Sequence, residues 1–387
     1  MLARLLALVV FVPAQVFGQN FAETAQKDFD SWDTDHDGAV SFTEVNAAVL
    51  SPGFHGEDAA AIAALFGYMY SAKSENPPVI TKEWLGNTHP VPLRIAKGTP
   101  AAEVKKARKE YMASPGSLQS SFASCLRRLS RTHSVDLYEE GGPNLSDIRQ
   151  GALGDCFMLA PLGALVKRNP DDVKSMIQRE DNGYSVRFSD GNVVHVAPLT
   201  DAELALGGSG TSRGLWIRIM EKAYGSRRFS DGEVRVVRDG MNGGSSGTAG
   251  RVLTGHKFTS VPLVGDYKKQ VAEDLLQQKM QGLRDALPAA LNDKRLVIAS
   301  TTSREMPRSI SPNHAYAVLS FDPEMDLLTI WNPHGTDFKP KGEDSLENGY
   351  ARDDGVFTMP LEPFVRTFGR VFFESKDDSP YVRHLVH

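Results

Sequence analysis

Apolar positions in this chain recur with two different periods. Ala25, Phe29 and Trp32 fall three and four residues apart, and Phe42, Val45 and Val49 repeat the spacing, which predicts two short helices flanking a polar stretch. A further helix is expected over Ala60 to Tyr70. Leu159, Leu162, Leu165 and Val166 return at helical spacing behind Gly154-Asp155, with Asp155 reading as the cap and Cys156 as the first helical position. The rhythm changes to alternation at His314 to Phe321 and at Leu327 to Asn332, two expected strands joined by a turn over Asp322 to Asp326. Prolines at 90, 92, 100 and 115 mark His89 to Ser117 as a connector, within which PAAEVKKARKEYMA is expected as a charged, solvated helix. The tract NGGSSGTAG, from Asn242 to Gly250, is expected as a flexible hinge or loop.

The chain opens with one Arg and an apolar run from Leu5 to Val12, followed by small residues near Val16 and Gly18. That layout is expected to be a secretory signal, cleaved after Gly18, and the run is too brief to span a bilayer comfortably. No other stretch is long enough, so a secreted or otherwise extracytoplasmic protein is expected. The 387 residues suit two or three domains, and 41% are hydrophobic, enough for proper cores. With 43 basic and 48 acidic residues and no basic block, nucleic acid is not an expected partner.

The polar stretch between the first two helices carries chemistry. Asp33, Asp35 and Asp37 stand at positions 1, 3 and 5 of a twelve-residue EF-hand loop, Gly38 makes its sharp turn, and Ala39 offers a backbone carbonyl. Ser41 is placed to act through a water and Glu44 to give both carboxylate oxygens. Such spacing wraps hard oxygen ligands around one point, the need of Ca2+. A partner half is expected after the helix at Ala60 to Tyr70, with Ile80 taking the place of Val40. Its loop, Lys73 to Trp84, lacks carboxylates at its ends and has Pro77-Pro78 for the turn glycine, so it is expected to bind nothing.

The two cysteines, Cys125 and Cys156, in an oxidising compartment could form one disulfide. The segment QGALGDCF speaks otherwise. A cysteine at a helix start feels the positive end of the helix dipole, which favours thiolate. Pro161, five residues on, removes one helical hydrogen bond at about 3 kcal/mol if unrelieved, and would kink the helix or shift its start.

At this point the chain resembles the calpain family of papain-like cysteine proteases. QGALGDC resembles the family's nucleophile segment, and GLWIRIMEKAYG its buried Trp-helix signature. LTG at Leu253 to Gly255 resembles the end of its first lobe. NHAYAV and WNPHG resemble its histidine and asparagine segments, and DDGVFTMPLEPFVRTF its closing stretch. These fall in family order across about residues 118 to 375. The resemblance implies an α+β fold: a two-lobed papain-like core behind an all-α EF-hand pair. The expected organisation is a signal at 1–18, the EF-hand pair at 19–88, a linker at 89–117, a helical lobe at 118–255 with Cys156, a β-rich lobe at 256–376 with His314 and Asn332, and a tail at 377–387. Trp216, Glu221 and Tyr224 are read as packing.

Geometry adds to this. A hairpin centred near Glu324 would pair residue 316 with 332 and 314 with 334. Asn332 then lies diagonally across from His314, about 7–8 Å between backbones, which side chains can close. A hydrogen bond from Asn332 would hold the imidazole with its other nitrogen facing the thiol. Cys156 would attack a peptide carbonyl, His314 would stabilise the thiolate as imidazolium and protonate the departing amine, and Asn332 would orient His314. The resemblance assigns Gln150 to the oxyanion hole with the Cys156 N–H. Cys125 becomes a spare thiol. The expected partner is a protein or peptide substrate, with no membrane span after signal removal. Acyl transfer of transglutaminase type, or a calcium-binding adaptor with a disabled protease fold, are the alternatives.

Pro161, His334, Phe338 and Val356 depart from the family. His334 replaces its tryptophan, which lines the cleft and takes part in calcium-controlled opening, and His334 is also a rival base. The family core binds calcium in each lobe. The matching first-lobe positions are Gly142 and Asp147, with Asp231 or Glu233 as a further acidic partner. In the second lobe Asp354 is retained, but other acidic positions fall on Phe338 and Val356, so no site is expected there.

Overall fold

The computed structural model describes residues 20–72, 79–96, 99–132, 136–139, 141–151, 153–207, 214–229, 240–241 and 243–376. The expected signal segment, the tail, most of the second loop (73–78), Asp231, Glu233 and Asn242 lie outside them. The chain divides into two units, Met1–Leu129 with Thr200–Leu206, and Ser130–Leu199 with Gly207–His387.

In the first unit, Asn20 caps α1 (Phe21–Trp32), its side chain accepting from the Ala22 N–H. Phe21, Ala25, Phe29 and Trp32 are its buried stripe. Beyond the polar loop, strand β1 (Ala39–Val40) leads into α2 (Phe42–Leu50), which Ser41 and Glu44 start with a reciprocal capping box. Helix α3 (Gly56–Ser71) is buried almost all round, the pattern of a central helix. Strand β2 (Ile80–Thr81) pairs antiparallel with β1, Val40 opposite Ile80, and Thr81 caps α4 (Lys82–Gly86). The charged α5 (Ala101–Met112) follows, then α6 (Leu118–Arg131), whose apolar face buries Leu118, Phe122 and Cys125.

A short helix from far along the chain, Asp201–Leu206, completes this unit. It buries Ala202, Ala205 and Leu206 and packs on α3. Thr200 Oγ1 donates to the Val49 carbonyl at 2.5 Å, and Arg128 donates to the Ala205 carbonyl at 2.7 Å.

The second unit holds α7 (Cys156–Arg168), α8 (Pro170–Met176) and a three-stranded antiparallel sheet of β3 (Ile177–Glu180), β4 (Gly183–Arg187) and β5 (Val193–Val196). The short helix just described is α9. Next come α10 (Trp216–Arg227) and α11 (Ser246–Thr254). Trp216, Glu221 and Tyr224 are all buried in α10.

Helix α11 corrects the reading of Asn242 to Gly250 as a flexible hinge. Ser245 caps it, and its glycines serve close packing. A Cβ on Gly250 would come 2.5 Å from the Phe258 ring, and one on Gly247 3.0 Å from Phe372.

The rest of the unit is a six-stranded antiparallel sheet with its covering helices. Strands β6 (Phe258–Pro262), β7 (Val297–Thr301), β8 (Ala315–Asp322), β9 (Leu327–Trp331), β10 (Val356–Pro360) and β11 (Phe368–Glu374) lie in the order β10-β9-β8-β7-β11-β6. Helix α12 (Glu273–Asn292) buries Leu276, Met280, Leu283 and Leu287 at three- and four-residue spacing, in one core with Tyr316, Val318, Leu328 and Ile330. Helix α13 (Leu361–Thr367) adds Phe364 and Val365. By strand alternation Ala315, Ala317 and Trp331 belong to the opposite face, and they are buried as well. Helix α7 packs on β8, and Gly163 takes the Trp331 ring where a side chain would overlap it. A bare glycine in mid-helix, unfavourable by propensity, thus brings α7 close against the sheet.

Candidate active site

Cys156 is the first residue of α7, which starts where Met158 and Leu159 donate to the Asp155 carbonyl at 2.8 and 3.0 Å. The helix runs through buried Pro161 without a break and keeps its start at Cys156. Asp155 stands at the cap position, but its side chain makes no capping hydrogen bond, contrary to the sequence reading. The sulfur is half-buried, and the Ala315 backbone N–H is directed at it. The nucleophile candidate therefore lies beside the start of β8, next to His314.

His314 and Asn332 flank the hairpin ends. The strand register is Ala317 opposite Trp331 and Val318 opposite Ile330, then a bulge, then Ser320 opposite Thr329. Extrapolated toward the site, this sets residue 316 against 332. Nearer the turn the pairing is offset by one, because the bulge absorbs a residue. His314 is 5% exposed and Asn332 fully buried. The ring's Nε2–H donates to Asn332 Oδ1 at 2.8 Å, which turns Nδ1 away as the free acceptor. Asn332 Oδ1 also accepts the His334 backbone N–H at 2.9 Å. The His334 ring stacks flat on His314, centroids 4.2 Å apart and planes 4° from parallel, so it covers the imidazole rather than competing for the Asn332 side chain.

Burial dominates the electrostatics. It drives His314 down to about 3, helped by the charges of His334 and Arg352 and opposed by the Asn332 hydrogen bond. Burial also lowers His334, with Arg352 adding to the effect. It raises Cys156, while the Ala315 N–H lowers it. Desolvation thus outweighs the helix-start effect expected to favour thiolate, and the resting pair is thiol and neutral imidazole. Cys125 is a free thiol too, buried in α6 and pushed up to about 11.

Gln150 precedes Cys156 on the same strand of loop. Its backbone N–H donates to the Pro333 carbonyl at 2.7 Å, so it lies against the turn that follows Asn332. Its side-chain Nε2 donates to Leu153 O at 2.8 Å, which fixes the amide and leaves a second hydrogen on that nitrogen. Arg149, unremarked in the sequence, reaches the same turn: it donates to the Gly335 carbonyl and pairs with Asp354 at 2.6 Å. In the sequence it stands only as a cation between apolar Ile148 and polar Gln150.

The amino-terminal loop gathers its charges locally. Ligand atoms of Asp33, Asp35 and Asp37 all lie within 4.8 Å of one another. Asp33 accepts from the N–H groups of Asp37 and Gly38 at 3.1 and 2.9 Å, and Asp37 from Ala39 at 2.8 Å. His36 and Gly38 take positive φ, at 59° and 85°. Glu44 closes the loop from α2. Burial raises its carboxyl, but hydrogen bonds from Ser41, Thr34 and Asp35 bring it down to about 2. The Ser41 hydroxyl donates to Glu44 Oε2 at 2.8 Å, so it is engaged in the helix cap. Among the described residues no Lys or Arg pairs with the three aspartates. Close carboxylate oxygens with no Lys or Arg of the protein among them fit a hard metal ion.

The first-lobe positions differ. Asp147 is buried and accepts the Asn144 N–H at 2.8 Å, and the Lys174 side chain lies against Gly142. Among the described residues no acidic group joins them in a metal-ligating cluster.

A family model described as calpain family cysteine protease matches residues 120–373. The calpain-1 catalytic subunit of Pongo abelii is 26% identical over 264 residues, covering 59% of this chain and 35% of the relative. The chain thus spans about a third of the length of that curated relative. Cys156, His314 and Asn332 all fall inside the matched span, and the loop from Asp33 to Glu44 falls before it.

Proposed function

The chain belongs to the calpain family of cysteine proteases, and from that premise we propose that it is an exported, calcium-binding endopeptidase of protein or peptide substrates that uses Cys156, His314, Asn332 and Gln150. The observation that carries this reading is the Asn332–His314 hydrogen bond next to a sulfur that accepts from the neighbouring Ala315 N–H.

The chemistry starts from the neutral pair. As the Cys156 sulfur attacks the peptide carbonyl, His314 Nδ1 takes the thiol proton, and the carbon–oxygen π pair moves to oxygen. The Cys156 N–H and the Gln150 amide stabilise that oxyanion. Asn332 holds the imidazolium through Nε2–H. Collapse of the intermediate breaks the C–N bond, and Nδ1–H passes its proton to the departing amine. Water, deprotonated by the same nitrogen, then cleaves the thioester and restores the thiol. Burial disfavours both charges singly, so ring and sulfur exchange a proton without parting with it to solvent.

Asp33, Asp35, Asp37, the Ala39 carbonyl, Ser41 and Glu44 are the proposed holders of calcium. The ion would neutralise the crowded carboxylates, and those residues would tie α1 to α2. Export rests on the Leu5 to Val12 run. Among the described residues, no helix is long and apolar enough to cross a membrane.

The test is cleavage of an unfolded protein by wild type and by Cys156→Ala. Wild type is expected to cleave, and the variant to lose at least about 10³-fold. Cross-linking in place of cleavage would point to acyl transfer. Equal behaviour of the two proteins would leave only a calcium-binding adaptor.

A further inference from the structure

We propose that Arg149 is a positioning residue, a two-pronged clasp that holds the Gln150–Cys156 segment against the turns flanking Asn332. The inference rests on the protease reading of the site but concerns what keeps its halves in register.

One prong of the guanidinium donates to the Gly335 carbonyl, and the other pairs with Asp354 at 2.6 Å. Both targets belong to the surroundings of Asn332. The Gly335 N–H donates to the Asn332 carbonyl at 2.9 Å, and the Asn332 N–H donates to the Gly355 carbonyl at 2.9 Å. Asp354 is steadied in turn, since its own N–H donates to Asp337 Oδ1 at 2.9 Å. The neighbouring backbone makes the contact continuous, because the Gln150 N–H donates to Pro333 O at 2.7 Å.

The approach needs a glycine. Gly335 takes φ 58°, and a Cβ there would lie 2.9 Å from Arg149 Cγ and 3.2 Å from the Ile148 carbonyl. A planar fork can serve two acceptors in different turns at once, and an ammonium offers no such fixed geometry. The clasp also engages Asp354 with a cation of the protein itself. Phe338 and Val356 bring no carboxylate to that turn, and among the described residues Asp354 joins no metal-ligating cluster.

Side-chain exposures of 45% for Arg149 and 39% for Asp354 mean that solvent screens the pair. Its contribution to global stability is therefore small. Its contribution to catalysis is set by placement, because small displacements of reacting groups cost rate steeply. This contrast separates positioning from ordinary scaffolding.

The experiment compares wild type, Arg149→Ala, Arg149→Lys, Asp354→Asn and the double variant Arg149→Ala/Asp354→Asn. Asparagine is chosen because Asp354 has φ 46°, a conformation asparagine tolerates. Arg149→Ala is expected to lower kcat about tenfold or more, with KM within about threefold and the thermal midpoint within about 2 °C. Arg149→Lys should recover part of the rate. The double variant should be no worse than Arg149→Ala, since both remove one clasp. Backbone amide exchange at 148–151 and 334–335 should quicken about tenfold in Arg149→Ala, with the rest of the unit unchanged. Unchanged kcat and exchange would overturn the proposal, as would additive losses or a loss explained by a lowered midpoint. A wild type that cleaves nothing would sink the protease reading instead, and the exchange data would still decide the clasp.

Discussion

The loop from Asp33 to Glu44 and the site around Cys156 both concentrate polar groups, but they do so at different ranges and with opposite electrostatics. The loop draws its donors from twelve consecutive residues and holds them with backbone N–H groups of the same stretch. Glu44 stays ionised well into acid because those donors favour its charge. The site joins residues 149–156 to His314 and to 332–335, more than 150 positions away, and buries His314 so that its imidazole stays neutral. A local motif survives on its own turn chemistry. An assembled site depends on a bulge, a glycine under a tryptophan ring and an arginine fork.

The sharpest way to break the assembled half is through Asn332, which holds the His314 ring. Asn332→Ala removes the acceptor for both His314 Nε2 and the His334 N–H. The expected loss in kcat/KM is about 10²-fold, measured on the same unfolded substrate. The local half should break more simply. Asp33→Ala deletes the carboxylate that gathers two loop N–H groups, and calorimetric titration should show calcium binding weakened by about tenfold or more.

The smallest effect concerns acid. His314 binds its proton near 6.5 when unfolded but only near 3 when folded. Between those values the unfolded chain holds more protons, so stability is complete above about 6.5 and falls as pH drops toward 3. The lowered His334 acts in the same direction. His314→Gln should flatten that part of the thermal midpoint's pH dependence, measured against wild type so that other titrating groups cancel.

What could be read from the sequence follows the same division. Every informative residue of the loop lies within reach of its neighbours, so spacing alone locates them. The His314–Asn332 bond was readable because a hairpin register connects two strands by a countable turn, and the bulge leaves that count right at the site end. The glycines at 247 and 250 misled, since a cluster of Gly and Ser reads as a hinge unless Phe258 and Phe372 are known to fill the space. Nothing near Thr200 to Leu206 signals that this helix packs with α3 in the first unit, because burial does not name its partner. Arg149 was invisible for the same reason. The preference for thiolate at a helix start was a sound local argument, but desolvation by the surrounding fold opposes it.

The central claim is that Cys156, served by His314, is the sulfur that does the work. Limited alkylation with a haloacetamide, mapped by mass spectrometry and followed alongside residual cleavage, tests it most directly. The account predicts that Cys156 is modified first, that Cys125, buried and pushed up to about 11, is spared, and that activity falls in step with Cys156 modification. Full activity with Cys156 alkylated, or inactivation that follows Cys125, would contradict it.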